Sequence, residues 1–108
     1  MTTYRVVFTD DARLSLRRLD GAERLVNISP GALSREAMRA LLAGTTLGGL
    51  LEDLATLAGD PYGGPTIARA GAEDDRIGLL GSLAVTYMVS SATEPPVITV
   101  TAVMPPKV

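Results

Sequence analysis

Two runs of residues decide the fold of this chain: Ile77-Gly78-Leu79-Leu80-Gly81-Ser82-Leu83-Ala84-Val85-Thr86-Tyr87-Met88-Val89 and Val97-Ile98-Thr99-Val100-Thr101-Ala102-Val103. Both are rich in β-branched and other apolar residues, which favours strands, and Gly81-Ser82 predicts a tight turn within the first run. Leu83, Val85, Tyr87 and Val89 alternate along one strand, so they are predicted to share a buried face. The last run is almost continuously apolar, which suits a central strand or a strand buried on both faces.

The residues before these runs are predicted to form one strand and then helices. Tyr4–Thr9 alternates like a strand, and Thr9 or Asp10 can cap a helix that follows directly. Three apolar stripes at helical spacing come next, and Gly44 is predicted to end the second. Gly48-Gly49 lowers helix propensity, so this part of the chain is predicted to be a kink or a loop. The stripes comprise Ala12, Leu16, Leu19 and Val26; Leu33, Ala37 and Leu41; and Leu47, Leu50, Leu51, Leu54, Leu57 and Ala58.

The order of elements predicts a single α+β domain over residues 1–108. An N-terminal strand, two to three helices and three to four mostly antiparallel strands follow one another, with the helices packed on one face of the sheet. Thr66–Ala70 is a short strand candidate, and Gly71–Asp75 is predicted to be a solvated acidic turn. We expect one core, made by Leu16, Leu19, Leu50, Leu54, Leu57, Val85, Tyr87, Val89 and Val100.

The amino-acid composition of the chain excludes several kinds of active site and metal site. The 108 residues include no cysteine and no histidine, which excludes a disulfide, a thiolate zinc site and the commonest general base. We therefore predict no metal and no cofactor. No apolar run is long enough to span a membrane and the N-terminus lacks a secretory pattern, so we expect a cytoplasmic protein without a membrane partner. The net charge of −2 argues against a strong nucleic-acid binder.

Three segments resemble the RelE/ParE superfamily of bacterial toxins. Tyr4–Ala12 followed by Leu16 and Leu19 looks like the opening of these toxins, Leu51–Gly63 is similar to the end of their second helix, and Leu83–Tyr87 occupies the place of their Tyr-Arg-Val-x-Tyr strand. The resemblance covers most of the chain. It implies the toxin of a type II toxin–antitoxin module, with a cognate antitoxin as partner and the ribosome with its messenger RNA, or DNA gyrase, as target. A homo-oligomer is also compatible with it.

The chain departs from the superfamily where the chemistry should be. The stretch between Leu19 and Asp60 is longer than the usual helical hairpin by roughly a dozen residues, and the extra residues are placed around Asp20–Gly44. Ala84 replaces the strand arginine, and Met104–Val108 lacks the tyrosine or histidine that members cutting messenger RNA often carry there. These departures favour a ParE-like or catalytically weakened member. Two alternatives are an active ribosome-dependent endoribonuclease and a non-toxic interaction domain that keeps the fold.

If the chain cleaves RNA, the resemblance leaves Arg69, Arg76 and Tyr87 as catalytic candidates, with Lys107 as a further cation. Cleavage of a phosphodiester needs cations for the developing charge and an acceptor for a proton. Simpler roles compete. Tyr87 lies on an apolar strand face, which predicts core packing, and Arg76 beside two aspartates predicts a paired surface charge.

A partner-binding surface is the other candidate site. Arg13, Arg17 and Arg24 share one face of the predicted first helix, in the part of the chain that carries most of its arginines. They are either a solvated surface paired with Asp10 and Asp20 or a binding surface for an acidic antitoxin segment.

Overall fold

A five-stranded sheet carries helices on one face. The computed structural model describes residues 3–25, 34–63, 66–69 and 72–104. The elements within them are β1 (Arg5–Phe8), α1 (Asp10–Leu16), a 3-10 turn (Ala22–Leu25), α2 (Arg35–Leu41), α3 (Thr46–Leu57), β2 (Thr66–Arg69), β3 (Ala72–Leu80), β4 (Leu83–Ser90) and β5 (Val97–Met104). The predicted α+β class and order of elements are confirmed.

The sheet brings together the first and last strands of the chain. Its order is β1-β5-β4-β3-β2, so β5 is an inner strand and β1 and β2 are the edges. β1 runs parallel to β5, with Arg5 opposite Val97 and Phe8 opposite Val100, while the other neighbours are antiparallel. The first and last strands therefore pair with each other, and β5 has the inner position predicted for it.

Helix α3 packs closely on the turn between β3 and β4. Gly81 and Ser82 both have positive φ, 56° and 68°, which matches the primed turns that suit the twist of a hairpin. The Gly81 amide donates to Asp53 Oδ2 at 2.7 Å, and a Cβ at Gly81 would meet the α3 backbone at Leu50. A Cβ at Gly48 would likewise meet the Leu42 carbonyl. Glycine is thus needed for these close approaches. The break predicted near Gly44–Gly49, a kink or a loop, is a short turn over residues 42–45, and Gly48-Gly49 lie in the first turns of the regular helix that follows.

The predicted core is confirmed. Leu50, Leu54 and Leu57 of α3 pack on the sheet, and Leu16 and Leu19 lie against them half-buried. Leu54 is 3% exposed and Val85 is fully buried. The sheet side of the cluster is formed by Leu80, Leu83, Val85, Tyr87, Val89, Ile98, Val100 and Val103.

Two predicted elements are wrong. Helix α1 ends at Leu16 instead of continuing to residue 26, because the chain turns away at Gly21, whose φ of 101° only glycine adopts readily. The turn is held by a bond from the Leu47 amide to the Asp20 carbonyl, which places the 3-10 turn beside α3. The acidic turn predicted at 71–75 is mostly strand, since β3 begins at Ala72 and Asp75 pairs with Met88 of β4. Val26, Leu33 and Ala70 lie outside the described residues.

Candidate interaction surface

Tyr87 and Arg76, two of the catalytic candidates, are neighbours on the helix side of the sheet. They lie opposite each other on β4 and β3. Tyr87 is fully buried, and its hydroxyl donates to the Pro61 carbonyl at 2.6 Å. This bond ties the loop after α3 to the centre of the sheet. The predicted core role of Tyr87 is therefore confirmed, and its hydroxyl has no access to a substrate.

The guanidinium of Arg76 also binds groups within the protein. Nη1 donates to the Glu73 carbonyl at 3.1 Å, and Nη2 donates to the carbonyls of Tyr62 and Thr66 at 3.1 and 3.2 Å. Its guanidinium carbon lies 5.5 Å from the centre of the Tyr62 ring, within reach of a cation–π contact. Only 6% of the residue is exposed. The prediction of a surface charge paired with neighbouring aspartates is therefore wrong, because the planar fork of donors binds backbone carbonyls of β2, β3 and the preceding loop.

Arg69 does not join these two residues. It is exposed and its Nη1 lies 3.5 Å from Asp75 Oδ1. Asp75 is next to Arg76 along β3, so its side chain points to the opposite face of the sheet. The three catalytic candidates are thus split between two faces, and two of them are enclosed. Lys107, the further cation considered, lies outside the described residues.

The three helical-half arginines do not form one stripe. Arg13 lies on α1 and Arg17 caps its C-terminus, while Arg24 belongs to the separate 3-10 turn. Arg24 Nη1 donates to the Leu41 carbonyl at 2.9 Å, so it satisfies one of the free carbonyls at the end of α2. The prediction of a single helical stripe is wrong because α1 is shorter than its apolar period suggested. Arg13 and Arg17 remain as an exposed pair, and within the described ranges neither forms an ion pair.

A groove lies beside this pair. Leu16, Leu19, Leu47 and Leu51 contribute its apolar lining, and Arg17 and Arg18 contribute positive charge. Asp20 and Glu23 also reach it, and the Glu23 carboxylate accepts a hydrogen bond from the Gly21 amide at 3.1 Å. An apolar lining beside arginines suits a chain segment with alternating leucine-type and acidic side chains.

Tyr62 and Asp74 form a contact that the sequence did not suggest. The Tyr62 hydroxyl donates to Asp74 Oδ1 at 2.7 Å. This hydrogen bond is the main reason that the pKa of Tyr62 is raised to about 12, with desolvation and the negative charge of Asp74 adding to it. Tyr62 is therefore neutral at physiological pH. The Asp60-Pro61-Tyr62-Gly63 run predicted only the end of a helix, and nothing in its pattern pointed to a strand residue 12 positions away.

The sheet face turned away from the helices, which we call the open face, carries most of the strongly exposed large hydrophobic side chains among the described residues. None of the described helices covers it. Four of the five large hydrophobic side chains most exposed to solvent lie there: Ile67 (66%), Leu79 (59%), Met88 (50%) and Met104 (46%). Strand β5 alternates between buried Ile98, Val100 and Val103 and half-exposed residues on the open face, so the alternative of burial on both faces is wrong for it.

The centre of the open face is internally satisfied. Thr86 and Thr101 share a hydrogen bond of 2.7 Å between their hydroxyl oxygens, at a bulge where Thr101 is the extra residue of β5. Thr101 Oγ1 also lies 3.2 Å from the Thr86 carbonyl. Thr86 and Thr101 need no outside partner, so contact with an apolar surface would leave neither of these two hydroxyls unpaired.

Two general properties bear on possible partners. No helix among the described residues has the length and hydropathy to cross a membrane. Within the same residues no three acidic side chains come together as metal ligands would.

Comparisons with known proteins do not assign the chain to a family. No protein-family model, no curated protein and no solved structure matches it.

Proposed function

We propose that this protein is a toxin-like component of a toxin–antitoxin pair of the RelE/ParE kind, acting in the bacterial cytoplasm by binding proteins and not by cleaving RNA. The proposal is supported by the three segments that resemble the superfamily, together with an element order of one strand, helices and an antiparallel sheet. A cognate antitoxin is the partner that this proposal requires.

One observation favours binding over cleavage: Arg76 and Tyr87 are committed to internal hydrogen bonds. A nuclease must aim cations and a proton acceptor at the phosphate, and exposed donors are needed for that. Releasing Arg76 would break its bonds to the carbonyls of Tyr62 and Thr66, at a cost on the order of 1–3 kcal/mol if the buried Thr66 carbonyl is left unpaired. Arg69 is the only one of the three candidates that a substrate could reach.

The groove beside Arg17 is the surface where we place the antitoxin. Its apolar lining would hold the apolar side of an antitoxin segment, and Arg13 and Arg17 would face acidic residues on that segment. Exposed charges of this kind steer association more than they hold the complex together. Charge reversal at both arginines is therefore expected to slow association and to weaken its dependence on salt.

Expression and cleavage assays test the proposal together. Induced expression should slow growth, and co-expression of a small neighbouring gene should restore it. Purified protein should leave a programmed message on ribosomes uncut. Efficient cleavage that is lost in Arg69→Ala, with folding intact by circular dichroism, would overturn the proposal and support the endoribonuclease. Absence of toxicity with retained binding to the neighbouring gene product would instead support the non-toxic interaction domain.

A kinetic measurement tests the surface. The double variant Arg13→Glu/Arg17→Glu should bind the neighbouring gene product with a slower association rate at low salt. Arg39→Glu is the matched control, since Arg39 is exposed on α2 and loses only an exposed ion pair with Glu52. Equal association rates for the double variant and the wild type would remove this groove from the interface.

A further inference from the structure

The open face has the size of a protein–protein interface. Three inner strands of about 26 Å and two edge strands of about 13 Å, spaced about 4.8 Å apart, give a projected area of roughly 500 Å². The accessible area of such a corrugated face is larger than its projection. Stable complexes typically bury about 800 Å² on each partner, and the largest apolar patch of an ordinary monomer is about 300–600 Å². The projected area of the open face is therefore within the upper half of the range for a monomer, and its larger accessible area is closer to the requirement of a dimer.

The distribution of charge on the open face is that of an interface centre with a charged rim. Arg5 lies at one margin, on β1, and Asp75 with its partner Arg69 lies towards the other, on β3 and β2. Between them the three inner strands place side chains without charge: Ile77, Leu79, Ala84, Thr86, Met88, Val97, Thr99, Thr101, Ala102 and Met104. Depletion of charge at the centre is the compositional mark of the buried part of an interface.

We propose that a second copy of this chain occupies the open face, so that two sheets pack face to face about a two-fold axis. A two-fold axis places the same surface on both partners, and a surface without charge at its centre can meet itself without repulsion. With the axis along the strands and through β4, the middle strand, the β1 margin of one copy lies over the β3–β2 margin of the other. Arg5 of each copy then approaches Asp75 of its mate.

The shape of the face favours a sheet over other occupants. Sheets of two domains pack about 10 Å apart with their strands within about 30° of each other, and the inner faces interdigitate. A helix needs a groove, and the exposed side chains of the open face are spread over four strands. The edge strands β1 and β2 have only four residues each, so pairing of edges would gain few hydrogen bonds.

Mass measurements test the dimer. Sedimentation equilibrium over a range of micromolar concentrations should give twice the chain mass of 11.3 kDa. Leu79→Glu/Met88→Glu changes two side chains that are at least half exposed, so the monomer should stay folded, while the dimer should weaken by at least about tenfold. Leu14→Glu is the matched control, because Leu14 is 52% exposed on α1 and should leave the dimer unchanged.

Cross-linking gives a second, independent measurement. The chain contains no cysteine, so Met88→Cys carries a single thiol beside the proposed axis. A short bismaleimide should link two Met88→Cys chains and should leave Leu14→Cys as a monomer. A wild-type mass of one chain at every concentration would overturn the proposal, and so would a dimer that the two glutamates leave intact. Binding of the monomer to neutral phosphatidylcholine vesicles through Leu79 and Met88 would also overturn it. The inference does not rest on the proposed function, since neither test uses the antitoxin or the arginines of α1.

Discussion

The replacement of Tyr87 by phenylalanine tests whether the hydroxyl oxygen of Tyr87 has a structural or a catalytic role. The change keeps the ring that fills the core and removes only the hydroxyl that donates to the Pro61 carbonyl. Both residues are buried, so water cannot take the place of the lost donor. The expected result is a less stable protein with otherwise unchanged properties.

The magnitude follows from what is left behind. A buried carbonyl deprived of its partner costs about 1–3 kcal/mol, and the short distance of 2.6 Å places this bond among the well-formed ones. A loss of about 2 kcal/mol reduces the folding equilibrium constant roughly 30-fold. For a domain near 100 residues it lowers Tm by roughly 8–16 °C.

Urea unfolding followed by circular dichroism measures this cost, since the chain has no tryptophan to report by fluorescence. The midpoint should fall without a change in the slope, because the surface exposed on unfolding is the same. Tyr62→Phe is the matched control. It removes an exposed hydroxyl that binds Asp74, and its effect should stay within about 0.5 kcal/mol.

Two results would refute this reasoning. If Tyr87→Phe and Tyr62→Phe had equal unfolding free energies, the bond to Pro61 would contribute no stability. If Tyr87→Phe kept wild-type stability but lost an RNA cleavage activity, the hydroxyl would be a catalytic group that reaches substrate, contrary to its complete burial.

The remaining predictions concern Tyr62, Gly81 and Arg76. Asp74→Asn should lower the pKa of Tyr62 from about 12 towards 10, as ¹³C NMR of the ring carbon bearing oxygen would show, and an unchanged titration would contradict the role of Asp74. Because folding raises this pKa, the stability that the Tyr62 hydroxyl contributes is complete below about pH 10 and disappears as the pH rises through 12. Gly81→Ala should destabilise more than Gly44→Ala, since both have positive φ (roughly 1–2 kcal/mol of strain) but only Gly81 lies against the α3 backbone; equal costs by urea unfolding would exclude a steric contribution. Arg76→Lys keeps the charge but not the fork of donors, and should lower the unfolding free energy by about 1–3 kcal/mol, whereas wild-type stability would show that the carbonyl contacts are dispensable.

The fold could be predicted from the sequence where burial imposes a regular period. One face of β4 packs against α3, so apolar residues alternate along this strand. The residues of that face are Leu83, Val85, Tyr87 and Val89, and all four lie in the core with the leucines of α3. The length of α1 could not be predicted in this way. An apolar spacing that fits a helix continues past Leu16, yet the backbone leaves the helix before Gly21. The positive φ of Gly21 and the bond from the Leu47 amide to the Asp20 carbonyl set its path there.

The candidate site was harder to predict because the role of a side chain depends on backbone groups that are far from it in the sequence. The pattern around Arg76 showed two acidic neighbours, and these suggested ion pairs. The carbonyls that Arg76 binds come from Tyr62 and Thr66 as well as Glu73, and only the pairing of β2 with β3 brings them within reach. The open face was equally hidden, since apolar residues on β3, β4 and β5 indicate burial whether a helix or a second protein provides it.

The parallel pairing of β1 with β5 has a consequence for how the protein is made. Thr9, just after β1, hydrogen-bonds to Thr101 across 92 positions of the chain. At a synthesis rate of roughly 5–20 residues per second, β1 waits about 5–18 s for the strand beside which it will lie. During this time its edge, and the apolar residues of α1 that pack on β5, have no native partner. Contacts between residues so far apart in sequence also slow folding after synthesis. The protein is therefore most exposed to chaperones and to aggregation while its N-terminal half has been made and β5 has not.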